Sequence, residues 1–151
     1  MDTSRLIKWV VVIVIAVAAW KYALPWAKQQ MGGHTTAAAS SEDTCVSAAQ
    51  RASEAWGSGL HSFVNPPYDL AAWSNFQSDV DGKISAAESQ CRGASMSNVE
   101  ARTAMTDLKA LVAAMDTSIR AGSPPPDDAV QRQEAIDTKI ETAAGLVKSG
   151  K

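Results

Sequence analysis

Residues 45 to 91 read CVSAAQRASEAWGSGLHSFVNPPYDLAAWSNFQSDVDGKISAAESQC, and the spacing of the apolar residues in this stretch decides the fold. Before the Asn65-Pro66-Pro67 break, Cys45, Ala49, Ala52, Trp56, Leu60 and Phe63 follow one another at steps of three or four. After it, Leu70, Trp73, Phe76, Val80, Ile84, Ala87 and Cys91 do the same. Such steps place apolar side chains along one stripe of an α-helix, and no alternating run competes for a strand. Ser40 or Ser41 caps the first helix, Asp69 caps the second and Gly93 closes it. Folding the two about residue 68 sets Cys45 opposite Cys91, Ala49 opposite Ala87, Ala52 opposite Ile84, Trp56 opposite Val80, Leu60 opposite Phe76 and Phe63 opposite Trp73. Every pair joins one stripe to the other, so the spacing predicts an antiparallel hairpin with its two cysteines at one height. A Cys45–Cys91 disulfide is expected, worth about 4 kcal/mol in the chain-entropy model. Two buried free thiols would be expected instead if the domain faced the cytosol.

Toward the C-terminus the same periodicity continues. Ser97-Asn98-Val99-Glu100 reads as a capping box that opens a third helix, whose stripe is Ala101, Met105, Leu108, Val112, Met115 and Ile119, ending at Gly122. After Pro124-Pro125-Pro126, Asp127 and Asp128 favour the N-terminal dipole of a fourth helix with Ala129, Gln133, Ile136, Ile140, Ala143 and Val147 on its stripe. Two hairpins of similar length make a four-helix bundle over residues 41–148.

Toward the N-terminus the character changes. A short tail of residues 1–5 precedes LIKWVVVIVIAVAAWKYALPWA at 6–27, whose only charges are Lys8 and Lys21. As a helix it spans about 30 Å, one hydrocarbon core. Its uninterrupted apolar part, Trp9 to Trp20, is as short as a signal-peptide core, and Ala16-Val17-Ala18 offers a cleavage pattern, so a cleaved leader is the competing reading. Trp9, Trp20, Tyr22 and Trp26 sit where interfacial aromatic belts would, and the lysines lie near enough to the ends to snorkel, which favours a retained anchor. Basic residues flank the segment equally, so the cysteines decide orientation: N-terminus inside the cytoplasmic membrane, C-terminal domain periplasmic or extracytoplasmic. Pro25 ends or kinks the anchor, and residues 28–40, small, polar and rich in breakers, form a flexible tether. The fold class expected is all-α: a single N-terminal transmembrane helix, then an up-down bundle of two antiparallel hairpins.

Composition narrows function. Alanine fills 27 of 151 positions and aromatics only 6%, too little bulk to line a large apolar cavity. Residues 32–151 carry ten Lys and Arg against fifteen Asp and Glu, a surface that repels phosphate backbones, so nucleic acid is no partner. The histidines, His34 and His61, are too few for a His-based metal site, and the apolar segment holds no His or acid to ligate a haem or chlorophyll metal or relay protons. No nucleophile elbow, zinc-protease motif or phosphate loop occurs. Met96, Met105 and Met115 are better read as core filling than as a soft-metal ladder. Asp107, Lys109, Asp137 and Lys139 read as ordinary helix-surface charges.

One segment does carry chemistry. Residues 76 to 88, FQSDVDGKISAAE, resemble the calcium loop of EF-hand proteins. With Gly82 as the turn glycine, the resemblance implies Asp79, Asp81, the Lys83 carbonyl, Ser85 and Glu88 as ligands and Ile84 as the apolar position, while Gln77 replaces the usual first aspartate. The competing reading is an exposed face of the second helix, against which Gly82 costs about 1 kcal/mol.

These features point to a non-catalytic accessory or structural subunit of a larger respiratory, photosynthetic, transport or secretion complex. Its partners would be the lipid bilayer and other membrane-complex subunits. Contact is expected at Trp9, Trp20 and Trp26 and on the first hairpin at His61 and Tyr68, because tryptophan favours interfaces and the second hairpin has no aromatic. The alternative is a membrane-tethered or secreted ligand-binding module with weak calcium affinity and otherwise no cofactor.

Overall fold

Capping chemistry sets where each helix begins. The computed structural model describes residues 40–150, and the expectations for residues 1–39 (the tail, the membrane segment with Trp9, Trp20 and Trp26, and nearly all of the tether) lie outside them. Helix α1 runs Ser41–Leu60 behind Ser40, whose hydroxyl accepts from the Asp43 amide while the Asp43 carboxylate accepts from the Ser40 amide. Reciprocal bonds of this kind satisfy two otherwise orphaned donors, so of the two serines the sequence offers as a cap it is Ser40, the last residue of the expected tether, that serves. A single 3-10 turn, His61–Phe63, follows, and the loop beyond it contains a cis Pro66–Pro67 bond. Helix α2 spans Leu70–Gln90, with the Asp69 carboxylate accepting from the amides of Ala71 and Ala72.

Helix α3, Met96–Arg120, starts earlier than the sequence pattern indicated. Its cap is Ser95, which accepts from the Asn98 amide, and the Ser97-to-Glu100 capping box is not formed. Ser97 and Asn98 are buried, and the would-be Cβ of Gly93 lies only 2.1 Å from the Asn98 amide nitrogen. Arg102 donates to the carbonyls of Cys91 and Gly93, and this clasp closes the corner two residues sooner. Helix α4 covers Ala129–Ser149 and ends on Gly150 in the left-handed region.

The described residues are thus all-α, four helices and no strand, packed as a bundle. Contacts at opposite ends fix the directions: Cys45–Cys91 with Phe63–Trp73 sets α1 antiparallel to α2, and the Arg102 bond to the Cys91 carbonyl with Trp73–Asp116 sets α2 antiparallel to α3, while Asp107–Lys139 and Ser53–Asp137 hold α4 against α3 and α1. Helices α1 and α3 each touch the other three, while α2 and α4 lie on opposite sides of that pair. A helix with three neighbours needs a wide apolar stripe. Hence α3 buries Ala104 and Leu111 as well as the six residues its spacing marked, and α1 buries Val46, Ala48 and Ser53 beyond its expected set. Leu70, expected in the core, is 46% exposed because it sits in the first turn of α2, at the end of the bundle. Leu60, Phe76, Ala129 and Val147 are half-buried against the core. Met105 and Met115 are fully buried, whereas Met96 is 65% exposed. Among the described residues no helix is long and apolar enough to cross a membrane.

Candidate functional site

The two cysteines meet as the stripe pairing required. A Cys45–Cys91 disulfide joins the start of the second turn of α1 to the residue capping α2, with Cα atoms 4.7 Å apart and both residues fully buried. At the opposite end of the same hairpin, Trp56, Phe63, Trp73 and Phe76 form one aromatic cluster. Phe63 and Trp73 meet edge-on at 5.1 Å, and Phe76 stacks on Trp56 at 5.7 Å and on Phe63 at 5.5 Å. Both tryptophans have no exposed surface, so they fill the bundle and are not available to a partner in this state.

Two polar bonds hold this end to the second hairpin. The Trp73 indole N–H donates to Asp116 of α3 at 2.8 Å, and Arg120 donates to the same carboxylate oxygen at 2.8 Å. Burial pushes the Asp116 carboxyl up, but the two hydrogen bonds and the Arg120 charge outweigh it and bring the group below its ordinary value of 3.8. The Tyr68 hydroxyl donates to the Ser123 carbonyl at 3.0 Å, and burial raises its pKa. Tyr68 therefore ties the α1–α2 loop to the α3–α4 loop, a structural duty the expectation of partner contact did not contain. His61 is exposed on the 3-10 turn.

A second polar cluster crosses between α1 and α4. Ser53 donates to Asp137 at 2.6 Å, and the Gln133 amide donates to the Ser53 hydroxyl at 2.8 Å and to Asp137 at 3.0 Å. A serine becomes a nucleophile when a positioned base can take its proton. Here the hydroxyl is spent on a carboxylate and an amide from the neighbouring helix, an arrangement that fixes register between helices. The sequence carried one signal for it, a glutamine at a position of the α4 stripe where an apolar residue would be usual. By sequence Asp107, Asp137 and Lys139 are plain surface charges. Each instead contacts another helix, Asp137 meeting α1 and Lys139 meeting Asp107 of α3.

The segment that resembles a calcium loop is a continuous part of α2. In a helix, side chains two apart diverge and those four apart converge. Accordingly Asp79 turns to Lys83, whose ammonium donates to both carboxylate oxygens at 2.8 and 3.0 Å, and not to Asp81. Glu88 lies 3.8 Å from Lys109 on α3, and Ser85 is exposed. The five expected ligands are not brought together, and the loop geometry is corrected to helix; the stripe residues Val80 and Ile84, pinned in the core, enforce that conformation. Among the described residues no group of three His, Cys, Asp or Glu is placed to hold a metal. Beside this segment lies an open groove of about 310 Å³ between α1 and α2, lined by Ala48, Arg51, Lys83 and Ala86.

Comparison with protein-family models, with curated proteins and with solved structures yields no match for this chain.

Proposed function

We propose that this chain is a non-catalytic, single-pass membrane protein, an accessory or structural subunit whose helical bundle stands outside the cytoplasm and docks on a larger complex. The observation that carries the reading is the buried Cys45–Cys91 bond in a chain whose residues 6–27 are apolar enough for an anchor. Disulfides persist in oxidising compartments, and an apolar segment of this length would hold an exported domain at the membrane. Support for a scaffolding role comes from where the polar groups go. Ser53, Gln133, Asp137, Asp116 and Arg102 are all engaged in holding one helix or corner to another. The calcium-module alternative loses its specific support with the helical conformation of residues 76–88.

Extraction of membranes in mild detergent followed by native electrophoresis tests the reading. The full chain is expected in the membrane fraction and in a band well above its 15.9 kDa mass. Solitary migration at monomer size, or recovery in the soluble fraction, would sink it.

A further inference from the structure

One end of the bundle is built from two proline-rich, uncharged loops. The α1–α2 and α3–α4 loops meet there, fastened by the Tyr68 to Ser123 bond. Residues 62–68 and 121–126 carry no charge, and five of the six prolines of the chain lie in those two loops. Of the five exposed large apolar residues among the described residues, Val64, Leu70 and Val130 belong to this end at 44%, 46% and 42% exposure, while Met96 and Val99 lie at the start of α3, at the other end. Asp69 precedes Leu70, and Asp127 and Asp128 precede Val130, all three exposed; Asp69 caps α2, Arg120 of α3 is already paired with Asp116, and Arg132 in the first turn of α4 leaves the acids in excess. Beneath lies the aromatic cluster, which stiffens the platform. A rigid apolar surface loses little conformational freedom on binding, and this is where association gains most for its area.

We infer that this proline-rich end is a protein-docking surface whose partner presents an apolar protrusion flanked by lysine or arginine. Charge complementarity selects the partner: the three aspartates repel an anionic bilayer and a second copy of the same acidic end, and attract a basic rim. The inference rests on the assembly reading above and extends it by assigning the face and the chemistry of what it meets. It also moves the expected contact away from Tyr68, which is occupied within the fold, to Val64 and its neighbours.

The test uses the full chain carrying Val64→p-benzoylphenylalanine, irradiated in intact cells, with and without the charge reversal Asp127→Lys/Asp128→Lys. An adduct to another polypeptide is expected, with its attachment site within a few residues of Lys or Arg. The double reversal should reduce its yield at least fivefold with far-ultraviolet circular dichroism unchanged at the working temperature, although the loss of two acids at the α4 N-terminus lowers the melting temperature by a few degrees. An adduct only to lipid, only to a second copy, of undiminished yield in the reversed variant, or no adduct at all, overturns the assignment. Native electrophoresis of the same samples separates the two claims. A high-mass band that survives the reversal while Val64 gives no adduct removes this face and leaves the assembly reading intact, whereas a monomer band removes the assembly reading itself.

Discussion

The two hairpins solve the same packing problem with different materials. In α1 the buried stripe is largely alanine, Ala48, Ala49 and Ala52, and the missing volume is made up by a disulfide at one end and four aromatic rings at the other. In α3 and α4 there is no aromatic and no cysteine, and beside Ala101, Ala104 and Ala143 the core is made of large aliphatic side chains, Met105, Leu108, Leu111, Val112, Met115, Ile119, Ile136 and Ile140. Alanine buries little area, so helices lined with it gain little from the hydrophobic effect per turn. A covalent link that restricts the unfolded chain, and large rings that concentrate burial at one end, compensate. The aliphatic hairpin has no need of either, because its long central helix buries large side chains against three neighbours at once. The first hairpin is therefore held at its ends and the second along its length.

That contrast is broken most directly by removing the staple. Cys45→Ala/Cys91→Ala is expected to lower unfolding free energy by about 4 kcal/mol, read as a shifted urea midpoint. Amide exchange should rise more in α1 and α2 than in α3; a uniform rise would mean the two hairpins are not held differently. Alkylation of the folded, unreduced protein should leave both cysteines unmodified by intact mass. Next in size, Leu108→Ala should cost about 3 kcal/mol, since a fully buried leucine leaves a cavity its neighbours fill only in part. A cost under 1 kcal/mol at that position would show that α3 is not the keystone.

At the aromatic end the expected effects are smaller. A Cβ placed on Gly59 would lie 2.2 Å from the Phe76 ring, which is itself stacked between Trp56 and Phe63. Gly59→Ala should therefore cost about 2 kcal/mol through overpacking and shift the near-ultraviolet circular dichroism of the cluster. Asp116 links that cluster to the second hairpin. Its pKa is lower in the folded chain than in the unfolded one, so its contribution is present above the unfolded value of 3.8 and is lost as pH falls through the folded value. Stability of Asp116→Asn should be about 1 kcal/mol below that of the parent at pH 7, and the gap should close as the pH falls below the ordinary carboxylate range. A gap that persists unchanged to pH 2 would mean that the carboxylate charge plays no part in holding Trp73.

How far residues alone disclosed this architecture follows from what helical spacing encodes. A period of three to four residues names one face of a helix, and the cysteine heights fix the fold of a hairpin, so α1 to α4, the Cys45–Cys91 bond and all six expected core positions of α3 were legible. Width of the stripe was not, because the number of neighbours a helix has is a tertiary property: Ala104, Leu111 and Val46 became core only through the contacts of α1 and α3. Polar seams escaped for a similar reason. Asp137 and Lys139 look like any solvated pair until another helix brings Ser53 or Asp107 to them. The calcium-like segment gives way to the competing helical reading because a short motif of aspartates and a glycine specifies a loop only where nothing stronger holds the backbone. Val80 and Ile84, at helical spacing and fully packed, are stronger.

Gly82 decides between those two readings with the smallest change. In a calcium loop the glycine makes a sharp turn that a side chain would obstruct, and replacing it would abolish the site. Within α2, by contrast, a Cβ at residue 82 would meet nothing within 4 Å and its backbone is helical. Glycine in a helix interior gives up more conformational freedom than alanine on folding, so Gly82→Ala should raise stability by about 0.5 to 1 kcal/mol. The gain should be the same in the presence of millimolar calcium and of a chelator, and the parent should melt at one temperature in both. Thermal denaturation by far-ultraviolet circular dichroism reads all four conditions. A destabilised variant, or a parent whose melting rises with calcium, would show that residues 76–88 leave the helix and that the end of the first hairpin nearest the disulfide is less rigidly held than its staple implies.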